Sequence, residues 1–298
     1  MAVASHQSNL SSLINRSLQA LPASGVGDTT AKTISIGRDH EAQISKQKPD
    51  LVAVTRGPGI TSALSTGLQA AKGLAVAWQV PFVGVNHMQA HAVTPRLAHA
   101  LSDSGADSIA PKFPYLSMLV SGGHTLLVHS TSLCEHAILA STKDIAIGDA
   151  IDKMARCIVP EEELRDNDVM YGPALERFAF SEGYSLGDYV PPQTRVEEVS
   201  PRPTRWGWAL PKPLAETRDM GFSFTGLGCA VKRVCDAMDE ETTRSERVEL
   251  ARECMKIAFE HLALRVVWAL QGLQKESMTL STLVVSGGVA SNTYLRFM

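Results

Sequence analysis

Residues 50–91 read DLVAVTRGPGITSALSTGLQAAKGLAVAWQVPFVGVNHMQAH, and this stretch decides the fold class. Asp50 to Thr55 is short, apolar and β-branched, the pattern of a buried strand. Gly57, Pro58 and Gly59 break it. Thr61 opens an Ala/Leu-rich segment that reads as a helix to Trp78. Pro81 to Asn86 is a second strand, and a helix follows from His87. Strand, glycine turn, helix, strand, helix is the α/β pattern of a parallel sheet.

Working outward, residues from about Ser35 to Pro49 are polar and helix-compatible. Downstream, Tyr115 to Val120 (YLSMLV) and Thr125 to Ser130 (TLLVHS) predict a hairpin closed by Ser121-Gly122-Gly123-His124. Helices are expected near Ile147 to Cys157 and Pro173 to Phe180. An irregular, Pro-rich stretch with Trp206 and Trp208 spans about Tyr184 to Arg218. Two helices (about Phe224 to Met238 and Ser245 to Leu273) precede a strand, Thr282 to Ser286, then Gly287-Gly288 and a last helix that stops at Met298. No 20- to 50-residue repeat is visible.

The chain has 298 residues, 44% hydrophobic and 20% charged, which suits two compact domains and excludes disordered or fibrous classes. No run of about eighteen apolar residues occurs, so no membrane contact is expected. The net charge of -3 offers no global basic excess, so RNA contact has to be local or shared with a partner. The five cysteines, Cys134, Cys157, Cys229, Cys235 and Cys254, form no CxxC pair. That argues for a reducing compartment and against a disulfide scaffold. The N-terminus, Met1 to Leu21, is rich in Ser, Asn and Gln and carries one arginine, Arg16, a partial match to a mitochondrial transit peptide.

Five constellations can carry chemistry. His87 and His91, at i and i+4 on one helix face, can share a metal or be unrelated. Met88 stands where a zincin needs its glutamate, so a metalloprotease is disfavoured. Ser121-Gly122-Gly123-His124-Thr125 is a phosphate-approaching loop or a plain turn. Asp149 and Asp152 share a face of one helix, suited to ribose hydroxyls or a metal, or to a solvated helix start. Ser286-Gly287-Gly288, leading into Asn292, offers a helix N-terminus to an anion or makes a tight connection. Arg202, Arg205, Lys212 and Arg218 surround Trp206 and Trp208, which suits looped RNA or a loop that folds its tryptophans inward.

Taken in order, the motifs resemble one family. They are GPGITSALSTGLQAAKGLA, VNHMQAHAVTPRL, LVSGGHTLLV, DIAIGDAIDKMAR, YGPALERFA, GFSFTGLGCAVKR and VVSGGVASNTYLR. The family is the tRNA threonylcarbamoyladenosine transferases, long misnamed O-sialoglycoprotein endopeptidases, and the resemblance covers about Pro49 to Arg296. The wording of DIAIGDAIDK and YGPALERF looks most like the mitochondrial branch.

The resemblance implies an α/β, two-lobed actin/hexokinase-like (ASKHA) fold. The N-terminal lobe would be residues 1–112 with the histidine pair, and the C-terminal lobe 113–298 with the adenylate loops. It implies transfer of a threonylcarbamoyl group from threonylcarbamoyl-adenylate to N6 of the adenosine beside the anticodon, in tRNAs reading codons that begin with A. Leu119, Val120, Ser121, Gly122, Gly123, Asp152, Gly172, Glu176 and Asn292 would contact the adenylate. His87 and His91 would bind one iron or zinc ion. A homodimer in mitochondria is the implied setting.

Three departures accompany it. The family's opening acidic, Thr/Ser-containing strand and loop has no match in Met1 to Asp28. Its third metal ligand, an Asp beyond the GGVxxN motif, is not reached. Gly228 stands where a lysine is usual. The chain is therefore expected to be incomplete at both ends, with a weakly held metal. Two alternatives follow: a truncated or inactive relative that keeps partial nucleotide binding, or a non-catalytic dimerising partner.

Overall fold

The computed structural model describes residues 2–24, 33–37, 44–102, 109–165, 171–180, 189–239, 243–278, 280 and 282–298. These residues form two compact units, Met1–His91 and Ala92–Met298. The division falls at 91/92, whereas the sequence suggests lobes meeting at 112/113.

The first unit starts with helix α1 (Ala2–Gln19). Strands β1 (Thr33–Ile36) and β2 (Ile44–Gln47) pair antiparallel. Strand β3 (Val52–Gly57), helix α2 (Thr61–Trp78) and strand β4 (Phe82–Asn86) follow, with β3 and β4 parallel. Helix α3 (His87–Leu101) begins here and continues into the second unit. The β3–α2–β4 reading is thus met. The helix-compatible reading of Ser35 to Pro49 is corrected: the polar sequence carries a strand pair. Ile34, Ile36 and Ile44 supply β-branched residues that a composition-based reading underweights. In α1, Leu10, Ile14 and Leu18 line a cleft with Leu74 and Trp78.

The second unit holds a five-stranded sheet of order β8-β7-β6-β5-β9. Strands β5 (Tyr115–Val120) and β6 (Thr125–Ser130) form the expected hairpin, every residue buried. Strand β7 (His136–Thr142) continues the meander. Next come helices α4 (Ile147–Ile158), α5 (Glu161–Arg165), α6 (Tyr171–Ala179) and α7 (Arg195–Val199). Strand β8 (Gly221–Phe222) pairs parallel with β7. Helices α8 (Thr225–Asp236) and α9 (Arg244–Lys275) precede strand β9 (Leu283–Ser286), which pairs parallel with β5. A 3₁₀ turn (Gly288–Ser291) and helix α10 (Thr293–Phe297) close the order.

One core covers the sheet. Leu116, Met118, Val120 and Leu127 from the strands pack with Ile147, Ile151, Met154 and Ile158 of α4 and with Met255, Ala258 and Phe259 of α9. The α4 contacts recur every three or four residues, as the 3.6-residue period requires. Asp144 fastens α8 to the sheet end. It accepts hydrogen bonds from the Ser223 hydroxyl (2.7 Å), Phe224 N–H (3.0 Å) and Thr225 N–H (3.1 Å). Burial opposes its charge, but these donors outweigh that and hold the carboxyl below its usual range. Thr243 caps α9 by accepting from Glu246 N–H. Among the described residues, no helix is long and apolar enough to cross a membrane.

Candidate functional site

The site grows from two glycines that let backbones touch. Gly287 ends β9 with φ +105°, and a Cβ there would lie 2.3 Å from the Val120 carbonyl oxygen. Only glycine accepts both the dihedral and the approach. Gly148, on the first turn of α4, donates its N–H to the Ser121 carbonyl at 3.1 Å. Its missing Cβ would stand 2.7 Å from the Gly122 nitrogen. The ends of β5 and β9, the Gly122 turn and the start of α4 are thereby drawn together at the carboxyl ends of two parallel strands. Open α/β sheets place ligands at such ends.

Around this junction lies a cavity of about 220 Å³, lined by Gly122, Asp152, Gly172, Glu176 and Asn292 together with Gly148, Ile151, Pro173, Gly288, Val289 and Ser291. The first turns of α4 and α6 and the start of the 3₁₀ turn all border it. Helix starts carry partial positive charge, a setting that favours an anion.

Each side chain is held. Asp152 Oδ1 accepts from Gly172 N–H at 3.0 Å. Burial pushes its carboxyl above the usual range, against the pull of that N–H and of Arg156. Asp149, on the same helix, instead pairs with Lys153 at 2.7 Å and faces solvent. Glu176 Oε1 accepts from Thr293 N–H at 2.6 Å. Asn292 Oδ1 caps α10 by accepting from Leu295 N–H at 2.9 Å. Glu176 and Asn292 therefore brace the start of α10 as well as facing the cavity.

Of the residues expected at the adenylate, five line this cavity: Gly122, Asp152, Gly172, Glu176 and Asn292. Ser121 and Gly123 sit in the adjoining turn, where Ser121 Oγ accepts from Gly123 and His124 N–H groups. Leu119 and Val120 are strand residues with side chains in the core, so only their backbones are available to a ligand. Sequence reasoning did not single out Gly148, Ile151 or Pro173 as site residues. The signal for Gly148 was present, a glycine inside an otherwise good helix.

In the first unit, the His87 and His91 rings lie 4.6 Å apart, centroid to centroid, edge to face. Asn86 Oδ1 accepts from Met88 and Gln89 N–H groups and starts their helix. Two imidazoles of one helix can serve one ion. Among the described residues no group of three His, Cys, Asp or Glu could complete a metal site, and a firm site uses three or more protein ligands. The fit is therefore partial.

The tryptophan segment is half-buried, with Trp206 and Trp208 both partly covered. Trp208 Nε1 donates to Glu246 at 3.0 Å, and Arg205 stacks over Trp206. Arg202 and Lys212 both bond Glu260, at 2.6 and 2.5 Å. Residues 184–188 of the Pro-rich stretch lie outside the described residues.

These features define an α/β protein of the actin/hexokinase-like class, with a glycine-walled cavity at the end of its larger sheet. The family model described as TsaD, tRNA N6-adenosine threonylcarbamoyltransferase, matches residues 40–298, and the chain belongs to that family. Its curated relatives include the mitochondrial tRNA N6-adenosine threonylcarbamoyltransferase of Schizosaccharomyces pombe, 36% identical over 98% of this chain and 58% of the relative. The tRNA N6-adenosine threonylcarbamoyltransferases of Buchnera aphidicola (32%, covering 86% and 63%) and Brucella suis (34%, 86% and 61%) are similar as well. The chain spans about three fifths of the length of these relatives. Among solved structures, component A of the (R)-2-hydroxyglutaryl-CoA dehydratase of Acidaminococcus fermentans aligns over 90% of this chain and 83% of its own. The TM-score is 0.35 at 11% identity, a likeness that carries no argument.

Proposed function

We propose that this chain transfers a threonylcarbamoyl group from threonylcarbamoyl-adenylate to N6 of the adenosine beside the anticodon, in tRNAs reading codons that begin with A. The observation that carries this reading is the cavity where Gly122, Gly148, Asp152, Gly172 and Gly288 meet at converging helix starts. Family membership supplies the reaction. In that reaction N6 attacks the carbamoyl carbon, the bond from that carbon to the phosphate oxygen breaks, AMP leaves with the electron pair, and the N6 proton passes to solvent.

The chain's own residues suit these demands. The partial positive charge at the starts of α4 and α6 suits the developing phosphate charge of the leaving group. Asp152, already held by Gly172, can accept ribose hydroxyls. Glu176 and Asn292 keep the 3₁₀ turn and α10 in place as one wall. His87 and His91 are the residues that would hold an iron or zinc ion, which when bound supplies Lewis-acid polarisation.

A mitochondrial setting and a homodimeric state belong to the same proposal. The first rests on the name of the fungal relative; the second rests on the family resemblance. The test is calorimetry with AMP, followed by nucleoside mass spectrometry of unmodified tRNA incubated with the chain and threonylcarbamoyl-adenylate. AMP binding with appearance of N6-threonylcarbamoyladenosine is expected. Absence of AMP binding sinks the reading.

A further inference from the structure

The adenylate is only half of the reaction. The acceptor adenosine has to reach the mouth of the same cavity, so its RNA backbone has to lie on a neighbouring face of the protein. Helix α4 has such a face. Gly148, Ile151 and Asp152 line the cavity. The adjacent side of α4, with Lys153, Arg156 and Cys157, forms a groove of about 430 Å³ with Gly228, Cys229 and Lys232 of α8.

Three of the nine residues that line this groove are cationic, in a chain whose net charge is -3. Attraction for a polyanion has to be local in such a chain, and these three cations stand at an otherwise apolar groove. Lys153 pairs with Asp149 (2.7 Å) and Lys232 with Asp236 (2.8 Å), but every partner is well exposed: 54% and 40% in the first pair, 64% and 59% in the second. Exposed helix pairs of this kind hold weakly, so both lysines can turn to phosphate at small cost.

Arg156 does something different. Its guanidinium lies 4.4 Å over the Tyr171 ring. Tyr171 directly precedes Gly172, which lines the cavity. The Arg156–Tyr171 stack therefore joins a groove residue to the chain neighbour of a cavity residue. Looped RNA is recognised by stacking of splayed bases on aromatic and guanidinium planes, with phosphates held nearby. The larger groove beside Trp206 and Trp208, about 800 Å³, is a poorer candidate because Asp239 and Glu246 line it opposite Arg233.

We propose that the α4/α8 groove holds the anticodon-loop backbone of the tRNA, through Lys153, Arg156 and Lys232, and presents the acceptor adenosine to the cavity beside it. This rests on the function proposed above.

The test uses the full chain, an unmodified tRNA, and an acceptor-stem minihelix lacking the anticodon loop. Dissociation constants are measured over a KCl series, and AMP binding by calorimetry. For Lys153→Gln/Lys232→Gln, tRNA affinity is expected to fall about tenfold, and the slope of log K against log salt by about 1.4, two single-strand phosphate contacts. Arg156→Gln is expected to weaken tRNA binding too.

Gly228→Lys tests the reverse direction. A Cβ at Gly228 meets nothing within 4 Å, so an added cation enters the groove without a clash, and tRNA affinity is expected to rise about threefold or more. AMP affinity stays unchanged in Lys153→Gln/Lys232→Gln and in Gly228→Lys, and the minihelix responds to none of the three variants. Unchanged tRNA affinity and salt slope with AMP binding intact overturns the groove and leaves the proposed function standing. Equal losses for tRNA and minihelix overturn the assignment to the anticodon loop. Failure of the unaltered chain to bind AMP overturns the function, and this inference with it.

Discussion

Gly148 and Gly122 approach so closely that a single added methyl group on Gly148 would lie 2.7 Å from the Gly122 nitrogen. The neighbouring atoms are backbone, fixed by the β5–β6 hairpin on one side and by α4 on the other. Gly148→Ala is therefore expected to push the α4 start away from the Gly122 turn. Overpacking of this kind costs about 1–3 kcal/mol. A lowered urea midpoint and AMP affinity reduced about tenfold (about 1.4 kcal/mol) are the expected readouts. Wild-type AMP affinity in this variant would show that the contact does not shape the cavity.

Asp152 gives a pH signature. Its carboxyl is raised above the usual range by burial. The sign follows directly. A raised folded-state value favours the protonated form, so this group's contribution to stability is complete below the unfolded value and is lost as pH rises through the folded one. Ligand binding runs the other way, because ribose hydroxyls need the charged acceptor. Adenosine affinity is expected to rise with pH through the raised carboxyl range. Asp152→Asn should flatten that rise and weaken binding about tenfold, since hydrogen bonds to charged groups contribute about 1.5–3 kcal/mol. Calorimetric titration across the acid range checks both, and an unaltered pH profile in the variant removes Asp152 from the ribose.

Glu260 tests the internal ion network. Lys212 and Glu260 side chains are 6% and 8% exposed and lie 2.5 Å apart, with Arg202 on the same carboxylate. Glu260→Gln strands a buried ammonium and is expected to cost about 3–5 kcal/mol by urea unfolding. The double variant Lys212→Met/Glu260→Met should recover much of that loss, because paired removal leaves no lone buried charge there and Arg202 keeps Glu253. Additive losses in the double variant would speak against the pairing.

The histidine pair makes a separate prediction. With two imidazoles side by side on α3 and no group of three His, Cys, Asp or Glu that could hold a metal among the described residues, zinc is expected to bind weakly and to leave on dialysis against a mild chelator. His87→Ala and His91→Ala should each abolish the residual binding, read by chelator competition. Tight one-to-one retention would overturn the two-ligand reading.

Much of this was legible in the sequence for a simple reason. The strand at β3, the helix α2 and the hairpin β5–β6 announce themselves through local composition, glycine breaks and apolar runs, and these signals depend on near neighbours alone. Gly122 and Asn292 lie in glycine motifs visible in the sequence, whereas Gly172 is named only through the family resemblance. Strands β7 and β8 were not legible. His136 to Thr142 carries mixed polarity, and the two residues of β8 become a strand only because β7 offers them partners. The β1–β2 pair was read as helix-compatible for a related reason: antiparallel pairing of the two segments overrode polar composition.

The sequence by itself determined the order of motifs, the family they belong to and the acids and glycines available at the site. Only the tertiary structure decided which of them act together. Asp149 and Asp152 are equivalent candidates on a helical wheel. Packing of α6 against α4 delivers the Gly172 N–H to Asp152 and leaves Asp149 to Lys153. Arg202 and Lys212 read in the chain as cations beside two tryptophans, suited to looped RNA or to an inward-folded loop, yet the carboxylate of Glu260 captures both. Spacing along a chain fixes which side chains share a face; what faces them depends on contacts between distant segments, and those exist only in the folded state.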